Sequence, residues 1–259
     1  MKRSLRLAIV GAGCIGRRVA QAAAAGEFPG TVAAIHDIDE AAAGALQADI
    51  APEAVVTGLP EALALADTVL ECAAAQVVPA VVAAARDCHV ATGRPEHVVV
   101  MSVGGLLDVP ELEADGPVLH VPSGAIGALD AVQALKVAGL DSVQLTTRKP
   151  PGGLGEELTA EKLLFEGTAA EVIRLYPKNV NVAIALSLAG IGWDRTMVRL
   201  IADPAVTRNT HHVIARGPAG EVEFFSRNLP FPENPRTSYL AALSAIALLK
   251  RLAANLQIG

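Results

Sequence analysis

The sequence predicts an α/β chain in two parts: a doubly wound parallel sheet, followed by a second α+β domain with a mainly antiparallel sheet. Up to about residue 117, short apolar runs alternate with Ala-rich helical stretches, which is typical of parallel strands joined by crossover helices. From Ser142 onward, longer segments alternate between apolar and polar residues, which indicates antiparallel strands with one covered face. We expect a first domain of residues 1–118 plus the C-terminal helix 236–259, and a second domain of residues 119–235.

Each predicted element has its own signal. Apolar runs predict the buried strands of the first part, and Ala-rich stretches between them predict its helices. The strands are 5–10, 32–35, 68–72 and 97–103, and the helices are 14–25, 39–46 and 77–85. Alternation predicts the strands of the second part, at 142–147, 198–202, 210–215 and 221–226, with helices at 168–175 and 182–188 and a terminal helix at 237–252.

The turn after the first strand carries the most specific motif, Gly11-Ala-Gly-Cys-Ile-Gly16. In a dinucleotide-binding turn the first glycine permits the tight turn, the second lets the backbone approach a pyrophosphate, and the third lets the helix pack against the strand. The motif is weak alone, but a buried strand precedes it and a helical pattern follows. The sequence therefore predicts a Rossmann-type domain in which Gly11, Gly13, Cys14, Ile15 and Gly16 bind the cofactor.

Asp37 ends the second predicted strand, where an acid meets the adenosine ribose of the cofactor. A carboxylate there accepts hydrogen bonds from both ribose hydroxyls and repels a 2′-phosphate. We therefore expect NAD to be preferred and leave NADP open. Arg17 and Arg18 follow the last glycine and would soften this preference, unless they only form a solvated first helical turn.

Composition excludes several classes of partner. The chain has 259 residues, is 52% apolar and carries a net charge of −6, without basic tracts, so we expect a small-molecule ligand and no nucleic acid or anionic membrane. No run of about 18 apolar residues or signal-peptide pattern appears, and we expect a cytoplasmic protein. The three cysteines are widely spaced, which predicts neither a disulfide framework nor a metal site.

The segment Thr207-Arg-Asn-Thr-His-His carries the most informative of the six histidines. In a strand, alternate side chains share a face, so Asn209 lies on the same side as His211 and His212 lies on the other. Asn209 would then hold the His211 imidazole in one tautomer, as a general base requires. A half-buried structural histidine is the alternative.

Three further segments have the character of site loops. The small residues 122–130 would let a backbone amide approach a flat ring, or would form a tight turn between domains. Asn181 either caps a helix or directs its amide at a cofactor carboxamide. Arg148 and Lys149 end a strand and are either surface charges or the cations that a dicarboxylate substrate needs.

Several motifs together resemble the L-aspartate dehydrogenase family over nearly the whole chain. Beside the glycine turn, they are Ser102-Val-Gly-Gly-Leu, Pro122-Ser-Gly-Ala-Ile-Gly, Thr147-Arg-Lys-Pro-Pro151, Leu164-Phe-Glu-Gly167, Pro177-Lys-Asn-Val-Asn-Val-Ala and Asn209-Thr-His. Such enzymes are similar to homoserine dehydrogenase and glyceraldehyde-phosphate dehydrogenase in joining a Rossmann domain to an antiparallel α+β domain.

The resemblance implies reversible oxidative deamination of L-aspartate to oxaloacetate and ammonia through iminosuccinate. It makes His211 the active-site histidine and places Ala125 and Asn181 at the nicotinamide end of the cofactor. A pKa near neutrality would suit the acid–base role of His211, and we expect one. At position 212 the family pattern has an acidic residue, so His212 departs from it. The candidates for binding the substrate carboxylates are Arg148, Lys149, Lys178 and Arg208. We also expect a homodimer.

Alternative functions stay open at this point. A homoserine dehydrogenase-like oxidoreductase is the closest rival, and a non-catalytic NAD-sensing protein would keep the first domain without turnover. A semialdehyde dehydrogenase would need a cysteine at the start of the second domain, whereas all three cysteines lie in the first. A methyltransferase would have no use for the Asn181 and His211 motifs.

Overall fold

A computed structural model describes residues 4–154, 158–176 and 181–258 of the chain. Within it, contacts group the chain into two compact units. The first unit comprises residues 1–122 and 244–259, and the second comprises residues 123–243. In the described part of the chain, no helix has both the length and the apolar character needed to cross a membrane.

The first unit contains a six-stranded parallel sheet in the order β3-β2-β1-β4-β5-β6. Its elements are β1 (Leu5–Val10), α1 (Cys14–Ala24), β2 (Gly30–His36), α2 (Glu40–Ile50), β3 (Val55–Val56), α3 (Leu59–Ala64), β4 (Thr68–Glu71), α4 (Val78–Thr92), β5 (His97–Val100) and β6 (Val118–His120). The strand order reverses between β1 and β4, and doubly wound sheets bind ligands at the carboxyl ends of the strands beside such a reversal.

Burial explains the apolar runs of this sheet. All residues of β1 except Arg6 are buried, because helices and neighbouring strands cover a central parallel strand on both faces. The prediction of a doubly wound parallel sheet is confirmed.

The second unit contains a five-stranded sheet in the order β11-β10-β7-β9-β8. Its elements are α5 (Leu129–Ala138), β7 (Ser142–Lys149), β8 (Lys162–Thr168), α6 (Ala169–Leu175), α7 (Asn181–Ala189), β9 (Met197–Ala202), β10 (Asn209–Gly217), β11 (Gly220–Asn228), β12 (Pro230–Phe231) and β13 (Asn234–Ser238), followed by α8 (Tyr239–Leu252), which continues into the first unit. All pairs in the five-stranded sheet are antiparallel except β7 with β9. The mainly antiparallel second sheet is confirmed.

One face of this sheet is covered by helices. Val143 and Leu145 of β7 and Val213 and Ala215 of β10 are each at most 1% exposed. A Cβ placed on Gly190, which follows α7, would lie 3.2 Å from Val143 Cγ2. The alternating pattern of the sequence therefore arises because every second residue of these strands faces the helices.

Several predicted bounds were wrong, and the end of β5 has a local reason. β5 ends at Val100 instead of residue 103, since a 3-10 turn occupies Val103–Asp108. Seven elements of the described chain were missed altogether, namely β3, α3, β6, α5, β8, β12 and β13. The two longest of them, α5 and β8, show why. The helix α5 exposes Val137 to 91%, which blurs its helical periodicity, and β8 has an irregular register between Leu163 and Phe165, which removes the alternation.

The predicted domain boundaries also differ from the division into compact units, which falls after Pro122 and after Leu243. The first unit must extend past residue 118 because β6 is a strand of its sheet. The second unit must extend past residue 235 because Asn234–Ser238 forms strand β13, which pairs with β12.

Candidate functional site

The glycine turn between β1 and α1 has the geometry of an anion-binding turn. Gly11 has φ +109°, and a Cβ there would lie 2.7 Å from the Ala73 nitrogen. A Cβ on Gly16 would lie 2.1 Å from the Gly11 oxygen, so both positions require glycine. At Gly13, by contrast, a Cβ would meet no heavy atom of the described residues within 4 Å.

Gly13 therefore leaves space beside the first turn of α1. It stands at the N-cap position and provides no side-chain hydrogen bond to the helix amides. Those amides, together with the positive end of the helix dipole, suit a phosphate. Cys14 and Ile15 begin this helix and are half-buried. These residues fit the pyrophosphate of a dinucleotide.

Asp37 follows β2 and is held against the glycine turn. Its Oδ2 accepts a hydrogen bond from the Ala12 nitrogen at 2.6 Å, and its Oδ1 accepts one from the Asp39 nitrogen at 2.9 Å. The carboxylate thus stands in a fixed position beside the turn. Arg17 and Arg18 form ion pairs, each at 2.9 Å, with Asp49 and Glu27 respectively.

Glu71, at the end of β4, is a buried acid that sequence reasoning missed. Its Oε1 accepts a hydrogen bond from the Ala73 nitrogen at 2.9 Å, and its Oε2 accepts one from the Ser102 nitrogen at 3.0 Å. The side chain is 0% exposed, and burial raises the pKa of its carboxyl although backbone hydrogen bonds act in the opposite direction. Glu71 therefore ties together the loops that follow β4 and β5, at the carboxyl edge of the sheet.

In the second unit, strand register places polar side chains in a row on the covered face. His211 of β10 pairs with Thr147 of β7 on one side and with Ser226 of β11 on the other. Residues directly opposite each other in antiparallel strands share a face, so these three side chains lie together. Asn209 pairs with Asn228 one step further along the same face.

Lys149 lies two residues beyond Thr147 on β7, so it also belongs to this face. We call the six residues the polar end of the sheet: Thr147, Lys149, Asn209, His211, Ser226 and Asn228. Toward the other end, the same face is lined by apolar residues such as Leu145 and Val213.

The His211 imidazole is 3% exposed, and its Nδ1 lies 3.0 Å from Thr147 Oγ1. Thr147, rather than Asn209 as predicted, is thus the residue that orients the ring. Burial, together with a smaller effect of the positive charge of Lys149, lowers the pKa of His211 to about 3. The expectation of a pKa near neutrality was wrong for the protein without substrate, because it took no account of these two effects.

The loop that carries Ala125 is anchored to the polar end of the sheet. The Ala125 carbonyl accepts hydrogen bonds from Asn228 Nδ2 at 2.7 Å and from Ser226 Oγ at 3.2 Å. Since Ser226 is the register partner of His211, the structure brings Ala125 and His211 to the same end of one sheet face.

Comparison with known proteins identifies the family of the chain. A model of the aspartate dehydrogenase C-terminal region matches residues 130–252. An L-aspartate dehydrogenase from Methanocella arvoryzae is 40% identical, with 98% of this chain and 99% of that protein aligned. One from Bradyrhizobium diazoefficiens is 39% identical, with 98% and 94% aligned. The chain belongs to the aspartate dehydrogenase family.

Solved structures agree with the assignment to the aspartate dehydrogenase family. The aspartate dehydrogenase of Thermotoga maritima is 25% identical, with a TM-score of 0.75, and the match covers 99% of this chain and 100% of that one. A myo-inositol dehydrogenase from Lactobacillus casei, solved with NAD(H) and myo-inositol, shares the fold at 14% identity and a TM-score of 0.58, with 97% and 86% covered.

Two other predicted residues of this aspartate dehydrogenase family member lie on a different element or a different sheet face from His211. Asn181 is the first residue of α7 and is exposed. His212 faces the opposite side of the sheet, where its Nε2 lies 2.6 Å from Glu223 Oε1. The departure from the family pattern at position 212 therefore concerns the face away from the imidazole of His211.

The candidate cations are separated in the same way. Arg148 lies on the His212 face, with ion pairs to Glu161 and, at 3.3 Å, to Asp203. Arg208 is exposed in the turn before β10, and Lys178 lies outside the described residues. Of the described candidates, Lys149 is the one that shares the face of His211.

Four site residues escaped sequence reasoning, and three of them carried a usable signal. Thr147, Ser226 and Asn228 occupy polar positions on the covered face of alternating strands, where an apolar residue is the norm. Glu71 had no such signal, because an acid at the end of an apolar run is typical of a strand that ends in solvent.

No group of three or more His, Cys, Asp and Glu side chains capable of holding a metal ion occurs in residues 4–154, 158–176 and 181–258. In the first unit, two histidines lie close together but do not form a group of three possible ligands. His120 Nε2 lies 3.1 Å from His97 Nδ1, and burial lowers the pKa of His120 to about 4.

The role of Glu71 in joining two loops can be tested by Glu71→Gln. The amide nitrogen of glutamine cannot accept a hydrogen bond, so either the Ala73 or the Ser102 nitrogen loses its acceptor. We expect the free energy of unfolding in urea at pH 7 to fall by about 1–3 kcal/mol.

Asp67→Asn is the matched control at the start of the same strand. Both hydrogen bonds to Asp67, from the Arg6 nitrogen and from Thr68 Oγ1, end on Oδ1, which asparagine retains. We expect a smaller loss for this variant. An equal loss in both variants would contradict a specific role for Glu71.

Proposed function

We propose that this chain is an L-aspartate dehydrogenase, which converts L-aspartate to oxaloacetate and ammonia through iminosuccinate. The observation that carries the proposal is the polar end of the second sheet, where His211, Thr147 and Lys149 share one otherwise apolar face. Relatives at about 40% identity over nearly the full chain bear that name, which supports the assignment of substrate.

We propose NAD as the cofactor, held by the glycine turn of the first unit. Gly11, Gly13 and Gly16, with Cys14 and Ile15, would bind the pyrophosphate at the N-terminus of α1. When bound, the nicotinamide ring supplies the acceptor for the hydride of the aspartate Cα. The fixed Asp37 carboxylate would accept hydrogen bonds from the ribose hydroxyls and disfavour NADP. NADP remains the alternative cofactor.

We assign His211 as the general base and acid of hydrolysis. Its Nε2 is the ring nitrogen that Thr147 does not contact. There it would take a proton from the water that attacks the imine carbon, and then return a proton to the amino nitrogen so that ammonia leaves. The lowered pKa of His211 keeps the imidazole neutral at physiological pH, which is the form that accepts a proton.

We assign the Ala125 backbone and the Asn181 amide to the nicotinamide end of the cofactor. The anchoring of the Ala125 carbonyl by Ser226 and Asn228 fixes the local backbone, which supports a positioning role. A role for Asn181 rests on the family resemblance and on its place at the start of α7. The homodimer also remains a prediction from the sequence.

The proposed function predicts NADH formation with L-aspartate in preference to D-aspartate, L-glutamate, L-alanine and L-homoserine. His211→Ala should lower kcat at least about 100-fold, because the acid–base group is lost, while the affinity for NADH stays nearly unchanged. Initial rates followed at the absorbance of NADH and a fluorescence titration with NADH measure the two quantities.

His212→Ala is the matched control, since it removes the neighbouring imidazole from the opposite face of the same strand. It should retain kcat within a few-fold. Full turnover by His211→Ala would remove His211 from the mechanism. A selective response to L-homoserine would favour the homoserine dehydrogenase-like alternative.

The cofactor preference is tested by Asp37→Ser. Serine cannot repel a 2′-phosphate, so the ratio of kcat/KM for NADP to that for NAD should rise on the order of tenfold. Loss of the hydrogen bond from Ala12 would also loosen the turn. This loosening would weaken the binding of NAD and NADP alike, so it cancels in the ratio of the two kcat/KM values. Asp39→Ser, which keeps a good cap for α2, should leave the ratio unchanged. An unchanged ratio in Asp37→Ser would mean that Asp37 does not reach the ribose.

A further inference from the structure

Lys149 is the buried cation of the polar end of the sheet. Its residue is 6% exposed, and its side chain projects from β7 on the face that carries Thr147 and His211. The backbone around it is fixed, because its carbonyl accepts a hydrogen bond from the Asp203 nitrogen at 2.9 Å and β9 pairs beside it. The positive charge of Lys149 acts on His211, so the ammonium group lies close enough to the imidazole to share a ligand with it.

We propose that Lys149 binds a carboxylate of the dicarboxylate substrate and is the specificity-determining cation of the site. The proposal rests on the proposed function, since it takes an amino diacid as the substrate. A carboxylate paired with a buried ammonium forms a strong charge-assisted hydrogen bond. It would place the reacting carbon of a four-carbon diacid next to His211.

The electrostatics of the two residues support this assignment. Burial lowers the pKa of Lys149 to about 8, so the group is still mostly protonated at pH 7. Its charge in turn opposes protonation of His211. A bound carboxylate would offset that charge, so the pKa of both Lys149 and His211 would rise. Substrate binding would thereby make His211 a stronger base at the moment when it is needed.

The groups around Lys149 come from three strands. Thr147 precedes it on β7, and Ala202 of β9 is its register partner. His211 and Asn209 face the same side from β10. Asp203, which follows Ala202, uses its carboxylate to accept hydrogen bonds from Arg148 Nη1 and from the Ala205 nitrogen.

Arg148 provides a matched control for Lys149. It is adjacent in sequence and carries the same charge, but it lies on the opposite face and forms ion pairs with Glu161 and Asp203. A general effect of positive charge on aspartate binding would be lost in either variant. An effect of position would be lost only at Lys149.

The test compares Lys149→Met, Lys149→Arg and Arg148→Met with the wild type. The measurements are KM and kcat for L-aspartate and the inhibition constant of succinate, a diacid without an amino group. Lys149→Met should raise KM and the inhibition constant at least about 30-fold, as expected when a buried charge pair loses one partner. Lys149→Arg should recover part of the loss, and Arg148→Met should change either constant less than about threefold.

If Lys149 had only a structural role, Lys149→Met would lose thermal stability along with any loss of succinate binding. A role in binding instead predicts a raised inhibition constant at nearly unchanged thermal stability. Methionine matches lysine in length, so we expect the fold to be retained. If Lys149→Met does not fold, Lys149→Gln takes its place with the same expectations. Unchanged KM and inhibition constant in a folded variant would overturn the proposal.

The failure of this inference can be told apart from failure of the proposed function. If the wild type shows no turnover with L-aspartate, the proposed function fails. In that case calorimetry of succinate binding to the wild type and to Lys149→Met still tests the lysine. Weaker binding by the variant supports a carboxylate site at Lys149, and equal binding or no binding by either protein contradicts it.

Discussion

The candidate chemistry of the second unit depends on the register of three strands. Because β7, β10 and β11 pair with Thr147, His211 and Ser226 opposite one another, three polar side chains from distant parts of the sequence share one face. A slip of one residue in β10 would turn His211 to the open face and bring His212 to the covered one. The apolar pairs further along the same strands prevent this slip, since it would also expose Val213 and Ala215.

The same face combines a buried ammonium group with a buried imidazole. Lys149 and His211 are both buried, and the positive charge of Lys149 makes His211 harder to protonate. In the proposed function, the carboxylate of the substrate would offset the positive charge that acts on His211. Perturbed pKa values of this kind cluster at functional sites, which agrees with the function that we propose.

In the first unit, hydrogen bonds to carboxylates fix the backbone instead of supplying chemistry. Asp37 holds the amide of Ala12 in the glycine turn, and Glu71 holds the loops after β4 and β5. These acids lie along the carboxyl edge of the parallel sheet, where a doubly wound fold binds its ligand. A turn that is held in place before the ligand arrives loses less conformational entropy on binding.

Much of the fold could be predicted because its signals are local. The glycine spacing at 11–16 and the alternation of β7, β10 and β11 each depend on residues close in sequence. The partner of His211 was not predictable in this way, since Thr147 is 64 residues away and its approach depends on strand register. The same reason explains why Ser226 and Asn228 were missed as anchors of Ala125, and why four candidate cations could not be ranked before the sheet faces were known.

The central claim is that His211 is a neutral, buried imidazole oriented by Thr147 at the polar end of the sheet. Nitrogen chemical shifts of histidines in the ¹⁵N-labelled protein, followed from pH 8 to pH 5 without substrate, test it most directly. The account predicts that His211 stays neutral throughout, in a single tautomer. Titration of His211 near its ordinary pKa of about 6.5 would contradict it.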